Sequence, residues 1–217
     1  MRLDLIYLAA GNSRRFGGNK LLYPIGGMPM YLHGLTKLSA VCRRHLCWRV
    51  TVVTQYPEIL KEIKGYPVKA VFSPQSRHGL SYSIKAGILN SELTEDELDE
   101  ESGFVFFAAD QPWMSERTIE KFLSEIEKRK PSLGCVCYGD QLGNPVYFSS
   151  SFRDELLSLE KDEGGKKILK KNRSQVYCFQ AAEAKELEDL DRREDSGGKY
   201  LHFKGKEATI GDTQKDK

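Results

Sequence analysis

One stretch of the sequence decides how the rest of it is interpreted: LDLIYLAA at residues 3–10, followed by GNSRRFGGNK at residues 11–20. The first part is a short apolar run that ends at a glycine, which is typical of a buried strand in a parallel sheet. The second part is rich in glycine and in basic residues and is predicted to form a loop at the end of that strand. Open parallel sheets bind their ligands at the carboxyl ends of the strands, so this loop is the first candidate for a binding site.

Segments with strand and helix character alternate along the rest of the chain. Apolar or β-branched runs predict strands at residues 49–54, 68–72, 103–109, 133–138, 145–148 and 176–179. Helical periodicity and N-terminal capping residues predict helices at residues 30–41, 57–64, 81–89, 115–129, 151–156 and 164–171.

This alternation predicts an α/β fold, a single three-layer Rossmann-like domain with a mostly parallel sheet and right-handed crossovers. The domain is expected to cover residues 1–204. Within it, residues 92–101 carry seven acidic side chains and are predicted to be an exposed insertion. Residues 205–217 are polar and lack periodicity, so they are predicted to form a flexible tail.

Composition and charge exclude several classes of protein. With 33 basic and 31 acidic residues, the formal net charge is +2, which leaves no field over the whole surface for holding a nucleic acid. No apolar run approaches the roughly 20 residues that span a bilayer, so no membrane association is expected. The start of the chain lacks the layout of a signal peptide, and the five cysteines include no C-x-x-C pair. We therefore expect free thiols and a cytoplasmic location.

The loop at residues 11–20 has the composition of a phosphate-binding loop. Small residues let backbone N–H groups point into a concavity, and Arg15 and Lys20 add full positive charges. The loop is not a Walker A motif, because Leu21 stands where that motif requires Ser or Thr, and it contains no G-x-G-x-x-G fingerprint. A basic surface turn is the alternative, but the position at a strand end favours a phosphate site.

Five motifs in this order resemble those of the MobA-like nucleotidyltransferases, most closely the molybdenum cofactor cytidylyltransferase branch. They extend the resemblance over nearly the whole chain, and they imply the fold of the nucleotide-diphospho-sugar transferases. The motifs are LAAGxSxRFGxNKLL at residues 8–22, HGLSxSxxxG at residues 78–87, ADQP at residues 109–112, GNPVxF at residues 143–148 and DEGG at residues 162–165.

The resemblance implies a site for a nucleoside triphosphate. Backbone amides of residues 10–17, with Arg15, are expected to hold the β- and γ-phosphates, while Lys20 reaches the α-phosphate and stabilises charge in the transition state. Lys20 and Arg15 are thus the expected catalytic residues. Ser81 is expected beside the base or ribose, although it could instead cap its helix. The full expected nucleotide-binding set is Leu8, Ala9, Ala10, Gly11, Ser13, Arg15, Gly17, Lys20, Gly79, Leu80 and Ser81.

The resemblance also bears on the base. The cytidylyl branch resembles the LAAG pattern, whereas the guanylyl branch carries LAGG, so Ala10 favours CTP.

A magnesium site is expected at Asp110. This carboxylate follows the five apolar residues 105–109. Placing a charged carboxylate at the end of a buried strand costs free energy unless a cation pairs with it. Mg²⁺ needs only one or two carboxylates besides triphosphate oxygens, and the family places a magnesium ligand here. The alternative is a cap for the helix that begins at Ser115. The resemblance implies a second metal ligand at Asp191. Arg192 and Arg193 stand here in place of the family's Thr-Pro, and the alternative is that this stretch is only a charged surface segment.

The acceptor side is expected to include Gln111, Asn144, Pro145 and the region of residues 162–167. The basic residues of 166–173 could attract a phosphorylated pterin, and a solvated helix face is the alternative. The expected reaction is Mg²⁺-dependent transfer of CMP from CTP to molybdopterin, with release of pyrophosphate, and a molybdenum hydroxylase could receive the product. The alternatives are transfer from GTP, another phosphorylated acceptor, or a carrier of molybdenum cofactor without catalysis. A pure carrier needs neither Lys20 nor Asp110, which favours an enzyme.

Overall fold

A seven-stranded sheet forms the centre of the protein, whose structure is a computed structural model that describes residues 1–14, 16–93, 95–99 and 101–190. The sheet strands are β1 (Arg2–Ala9), β4 (Trp48–Thr54), β5 (Lys69–Phe72), β6 (Ser102–Ala108), β7 (Leu133–Tyr138), β8 (Gln141–Ser149) and β9 (Val176–Gln180). A separate two-stranded hairpin consists of β2 (Pro24–Ile25) and β3 (Met28–Pro29).

The strand order is β5-β4-β1-β6-β8-β7-β9. Strand β1 is parallel to β4 and β6, β4 to β5, and β7 to β9, whereas β8 is antiparallel to both β6 and β7. Strands β7 and β8 follow each other through a tight turn, which permits only the antiparallel pairing, because parallel neighbours need a crossover. The predicted α/β fold with a mostly parallel sheet is confirmed.

Helices cover both faces of the sheet. They are α1 (Met30–Cys42), α2 (Pro57–Glu62), α3 (Leu80–Leu89), α4 (Glu116–Arg129), α5 (Arg153–Leu157) and α6 (Gly165–Lys171). Short 3₁₀ helices lie at Lys20–Leu22, Ile63–Gly65, Pro74–His78, Glu95–Glu97, Ser150–Phe152, Arg173–Gln175 and Ala184–Leu187. The predicted helices agree with these bounds to within a few residues.

Two hydrophobic clusters, one on each face of the sheet, explain the apolar run of the first strand. Leu5 and Tyr7 of β1 belong to the cluster beneath α1 and α4, whereas the intervening Ile6 belongs to the cluster beneath α3 and α6. Side chains alternate along a strand, so a strand that is covered on both faces reads as continuously apolar. These two clusters make the domain three-layered, as predicted.

The carboxyl ends of β1, β4, β5 and β6 lie together at one edge of the sheet, since Ala9 pairs with Thr54, Thr54 with Phe72 and Leu8 with Ala108. The loops that follow these strands therefore meet there. This edge is where the sequence places the binding site.

The predicted acidic insertion is only partly described. Its Asp99 pairs with Arg2 at the start of β1, with 2.6 Å between Oδ2 and Nη2, and Glu95–Glu97 forms a turn of 3₁₀ helix. The predicted tail at residues 205–217 lies outside the described residues, as does the last part of the predicted domain. Of the helices that the structure describes, none is long and apolar enough to cross a membrane.

Candidate active site

A cavity of about 440 Å³ opens at the carboxyl ends of β1 and β6. We call it the carboxyl-edge cavity. Its walls include the loop after β1, the start of α3, the end of β6 and the segment that carries Asp189. The sequence-predicted residues that line it are Leu8, Ala10, Gly11, Ser13, Lys20, Gly79, Leu80, Asp110 and Asn144. Asp162, from the region predicted for the acceptor side, also lines it, and the lining residues for which the sequence predicted no role include Asn12, Arg14, Ser76, Ser83 and Asp189.

The loop after β1 is held by side chains that follow β4. The Gln55 amide donates to the Ala10 carbonyl at 2.6 Å, and the Tyr56 hydroxyl donates to the Gly11 carbonyl at 2.6 Å. Within the described part of the chain, the N–H groups of Gly11, Asn12 and Ser13 have no hydrogen-bond acceptor. Carbonyls that are engaged elsewhere and N–H groups without acceptors are what an anion-binding loop requires.

Lys20 lies at the end of this loop and is almost completely buried, with 7% of its surface exposed. Its backbone N–H donates to the Ser13 hydroxyl at 3.1 Å, and the Asn19 side chain caps the 3₁₀ helix that begins at Lys20. Its ammonium forms an ion pair with Asp110, with 2.7 Å between Nζ and Oδ2. Lys20 is therefore a buried cation that is aimed at the cavity, not a solvated surface lysine.

Asp110 follows β6 and takes no part in capping the next helix. The cap of α4 is Ser115, whose hydroxyl accepts from the Thr118 N–H at 3.1 Å. Lys37 of α1 holds the intervening turn by donating to the carbonyls of Pro112 and Met114, at 2.9 and 2.7 Å. Burial lowers the pKa of the Lys37 ammonium. Both of its hydrogen bonds hold the turn between β6 and α4. The alternative reading of Asp110 as a helix cap is excluded.

The second carboxylate that the structure brings to the cavity is Asp189. The Gln111 amide donates to its Oδ1 at 2.7 Å and to the Leu187 carbonyl at 3.0 Å, and the Leu190 N–H donates to the Asp110 carbonyl at 3.0 Å. Burial, followed by the nearby charge of Asp110, raises the pKa of Asp189. Two carboxylates therefore face one small space.

Asp191 and Arg15 lie outside the described residues, so their predicted roles stay predictions. Asp189, in the same charged run as Asp191, lines the cavity. Nothing in the sequence distinguishes these two aspartates, since both lie in the same charged run. Among the described residues, no cluster of three or more acidic, histidine or cysteine side chains suits a metal ion.

The contacts at the start of α3 explain why Gly79 and Ser81 stand in its motif. Gly79 has a φ of +147°, and a Cβ there would lie 2.2 Å from the Lys161 carbonyl oxygen, so only glycine fits. The backbone N–H and the hydroxyl of Ser81 both donate to that same carbonyl, at 3.0 and 2.8 Å. The hydroxyl of Ser81 is thus engaged inside the protein, and Ser83 lines the cavity instead.

The remaining predicted residues lie near the cavity without lining it. Ala9 is buried in β1, Gly17 has a φ of +72° in the loop, and Gln111 uses its amide to anchor the segment before residue 190. Pro145 follows the cavity-lining Asn144 in β8. The structure therefore assembles the predicted nucleotide side more completely than the predicted acceptor side.

The family model of the MobA-like NTP transferase domain matches residues 5–176. The purine catabolism protein PucB of Bacillus subtilis is 26% identical over 200 residues, which cover 88% of this chain and 92% of PucB. A protein of Pyrococcus horikoshii named "Probable molybdenum cofactor guanylyltransferase" is 33% identical over 87 residues, or 35% of this chain and 44% of that protein.

A solved structure shares the fold. Rv0371c of Mycobacterium tuberculosis superposes with a TM-score of 0.70 at 20% identity, covering 90% of this chain and 96% of that one. A complex of Rv0371c with manganese superposes with a TM-score of 0.62 at 18% identity, covering 83% of this chain and 88% of that one.

Proposed function

We propose that this chain, which belongs to the MobA-like NTP transferase domain family, transfers CMP from CTP to molybdopterin in a Mg²⁺-dependent reaction that releases pyrophosphate. Membership of the family supports nucleotidyl transfer in general. The observation that carries the proposal is the ion pair between the buried Lys20 and the partly buried Asp110, beside a loop whose N–H groups have no acceptor among the described residues.

The nucleotide is proposed to bind with its triphosphate along the loop after β1. The N–H groups of residues 11–13 donate to phosphate oxygens, and Arg15 adds a positive charge. Lys20 reaches the α-phosphate, where negative charge develops during transfer. A buried ammonium interacts with that charge more strongly than a solvated one does, because the surroundings screen it less.

The donor set fits a magnesium ion. Asp110 and Asp189 would hold the ion through carboxylate oxygens, which a hard cation prefers. Lys20 pairs with Asp110 in this structure, so the ion would compete with Lys20 for that carboxylate. The bound ion would neutralise triphosphate charge and favour the departure of pyrophosphate. The manganese complex of Rv0371c supports the use of a divalent cation.

The chemical step needs positioning more than proton transfer. A terminal phosphate oxygen of the acceptor forms a bond to the α-phosphorus, while the bond between that phosphorus and the bridging oxygen to the β-phosphate breaks and its electrons leave with pyrophosphate. The protein holds the two reactants in line. We place the acceptor beside Asn144 and Asp162, which also line the cavity. The name of the Pyrococcus relative supports a molybdenum cofactor acceptor.

The choice of base rests on one residue of the loop after β1. Ala10 lines the cavity at the position where the cytidylyl pattern carries alanine, and this favours CTP. A guanylyltransferase is the second candidate, because the match over 87 residues is to a protein of that name.

The test is pyrophosphate release from each of the four nucleoside triphosphates, with Mg²⁺ and with or without molybdopterin, followed by mass analysis of the product. We expect release with CTP that requires the acceptor, and a product heavier by one cytidylyl group. Preference for GTP would establish the second candidate. Tight cofactor binding without release from any triphosphate would show a carrier and overturn the proposal.

A further inference from the structure

Three of the chain's five cysteines lie together on one face of the sheet. Cys135 and Cys137 are two residues apart in β7, so their side chains point to the same face. Cys178 of β9 pairs with Cys135 in parallel register, and this register continues unbroken past Cys137, so Cys178 points to that face too. The face is the one beneath α3 and α6, because Cys135 belongs to the hydrophobic cluster there. We call these three residues the thiol cluster.

The thiols of the cluster are near enough to affect one another. Burial first, and then the charge and hydrogen bond of the adjacent Cys178 thiol, raise the pKa of Cys135 to about 12 and the pKa of Cys137 to about 11. The Cys137 thiol also donates to the carbonyl of Phe179, the residue after Cys178, at 3.4 Å. Cys178 is therefore the neighbour that the two buried thiols share.

The three thiols differ in their access to solvent. Cys178 is exposed on β9, which is the last strand at its edge of the sheet, whereas Cys135 and Cys137 are 0% exposed. A reagent in solution therefore reaches Cys178. The two buried thiols are shielded from that reagent, but they are not shielded from Cys178 itself.

The spacing of the strands suits a disulfide bond. Neighbouring strands in a sheet lie about 4.8 Å apart, and a disulfide joins residues whose Cα atoms are usually about 4.4–6.8 Å apart. The register pair of Cys135 and Cys178 meets this condition without a shift of either strand. Cys137, two residues further along β7, lies diagonally across from Cys178 and interacts with the same thiol.

We propose that the thiol cluster is an oxidation site, in which Cys178 forms a reversible disulfide with one of the two buried cysteines. The oxidant is a hydroperoxide, and the bridge ties the edge strand β9 to β7. Disulfides with an exposed sulfur are the ones that thiol reductants open most readily, so the bridge is reversible. This site does not depend on the reaction proposed at the carboxyl-edge cavity.

The chemistry has two steps. The Cys178 thiolate attacks one peroxide oxygen, the O–O bond breaks, and Cys178 becomes a sulfenic acid while the other oxygen leaves in water or an alcohol. The buried thiol then attacks the Cys178 sulfur, the S–O bond breaks, and water leaves with the thiol proton. Two thiols lose two electrons in all, and the peroxide gains them.

The raised pKa values slow the second step without preventing it. A pKa of about 12 in place of 9.0 leaves the Cys135 thiol with about a thousandfold less thiolate at neutral pH. Groups that are held side by side in good orientation react at effective concentrations of about 10⁵ M or more, which outweighs a loss of that size.

Thiol counting and peptide mapping test the proposal. The reduced protein is treated with hydrogen peroxide, unfolded, and alkylated, and the alkylated cysteines are counted by mass spectrometry. We expect five before treatment and three after it, because a bridge removes two, and five again after dithiothreitol. Tryptic mapping without reduction should show the peptide that contains Cys178 joined to the peptide that contains Cys135 and Cys137.

Variants identify the thiol on which the bridge depends. Cys178→Ser is expected to keep all four of its cysteines free of disulfides after the same treatment, and its melting temperature should not fall, because Cys178 is exposed. Cys47→Ser removes the other exposed cysteine and is the matched control, which should form the bridge as the wild type does.

A bridge from Cys178 to either buried cysteine supports the proposal. Oxidation of Cys178 that stops at the sulfenic or sulfinic acid, with no joined peptides, would overturn it. A bridge that joins two copies of the chain, seen as a dimer on a non-reducing gel, would also overturn it, and so would loss of the bridge in Cys47→Ser.

Discussion

Lys20 and Asp110 are 90 positions apart in the chain, and their side chains form an ion pair of 2.7 Å. The sequence suggested a separate role for each, one at a phosphate and one at a metal. The structure adds that they neutralise each other before any ligand binds. Nucleotide and metal ion therefore compete with an existing contact, and this gives three predictions at the scale of single residues.

Replacing Lys20 by Ala is expected to lower turnover by about 100-fold or more, as the loss of one preorganised charge typically does. The dissociation constant of CTP should change far less, because the charge acts mainly in the transition state. Pyrophosphate release and CTP titration measure the two effects, with Lys121→Ala as the control. Turnover equal to that of the wild type would remove Lys20 from the mechanism.

The same variant is expected to bind Mn²⁺ more tightly than the wild type when no nucleotide is present. Its Asp110 and Asp189 no longer face the competing ammonium, so their charge is available to the cation. Electron paramagnetic resonance of free Mn²⁺ measures this without any turnover. Equal or weaker Mn²⁺ binding in the variant would show that Lys20 does not compete with the cation for the two carboxylates.

Asp110→Asn is expected to keep the fold and to abolish metal-dependent turnover, because a neutral amide is a poor ligand for Mg²⁺. Asp154→Asn, at a carboxylate with 97% of its side chain exposed, is the matched control. Pyrophosphate release over a range of Mg²⁺ concentrations is the measurement, and full activity in Asp110→Asn would contradict the assignment.

The N-terminus of helix α4 is stabilised both by its own capping residue and by a residue far away in the chain. Ser115 caps the helix as its sequence predicts, and the buried Glu186 accepts from the Ser115 N–H at 3.2 Å. A carboxylate at a helix N-terminus is favoured by the helix dipole. The segment that carries Asp189 is thus fixed both to α4 and, through Gln111, to the end of β6.

Ser115→Ala is expected to reduce the free energy of unfolding by about 1 kcal/mol, the typical cost of losing an N-cap. Ser124→Ala, an exposed position inside the same helix, should be neutral or slightly stabilising because alanine has the higher helix propensity. Denaturant unfolding measures both. Equal effects of the two changes would mean that the cap does not stabilise α4.

Most elements could be predicted, and the exceptions have a common reason. Strands β2 and β3 have two residues each and are too short to show periodicity. Strand β8 begins at Gln141, earlier than the predicted Pro145, because pairing with β7 and not its own composition extends it. Long elements with one repeated pattern were predicted, and those that depend on a neighbour were not.

At the scale of the whole molecule, Asp4 connects stability to pH. It lies fully buried in β1, where burial raises the pKa of its carboxyl to about 6, although the Thr51 hydroxyl and the Glu92 N–H donate to it. The Glu92 carboxylate raises this pKa further. The folded state therefore holds the proton more tightly than the unfolded state does.

The Asp4 contribution to stability is fully present below about pH 3.8 and is lost as the pH rises through about 6. Two pKa units correspond to about 3 kcal/mol. We expect Asp4→Asn to reduce the loss of unfolding free energy between pH 4 and pH 7.5 by an amount of this order. Urea unfolding at both values measures it, and an unchanged pH dependence in the variant would contradict the prediction.

The alternation of strands and helices along the chain, the loop after β1 and the choice of Lys20 and Asp110 as candidate site residues came from the sequence alone. Each rests on a local pattern, namely an apolar run that predicts a strand, such as residues 3–10 or 105–109, and the charged residues that follow it. Local patterns suffice here because the carboxyl ends of parallel strands meet at one edge.

Only the tertiary structure decided which side chains face the carboxyl-edge cavity. Ser83 lines it while Ser81 bonds to the Lys161 carbonyl, and Asp189 enters it because Gln111 holds it there. Such choices depend on contacts between residues far apart in the chain, which no local pattern encodes.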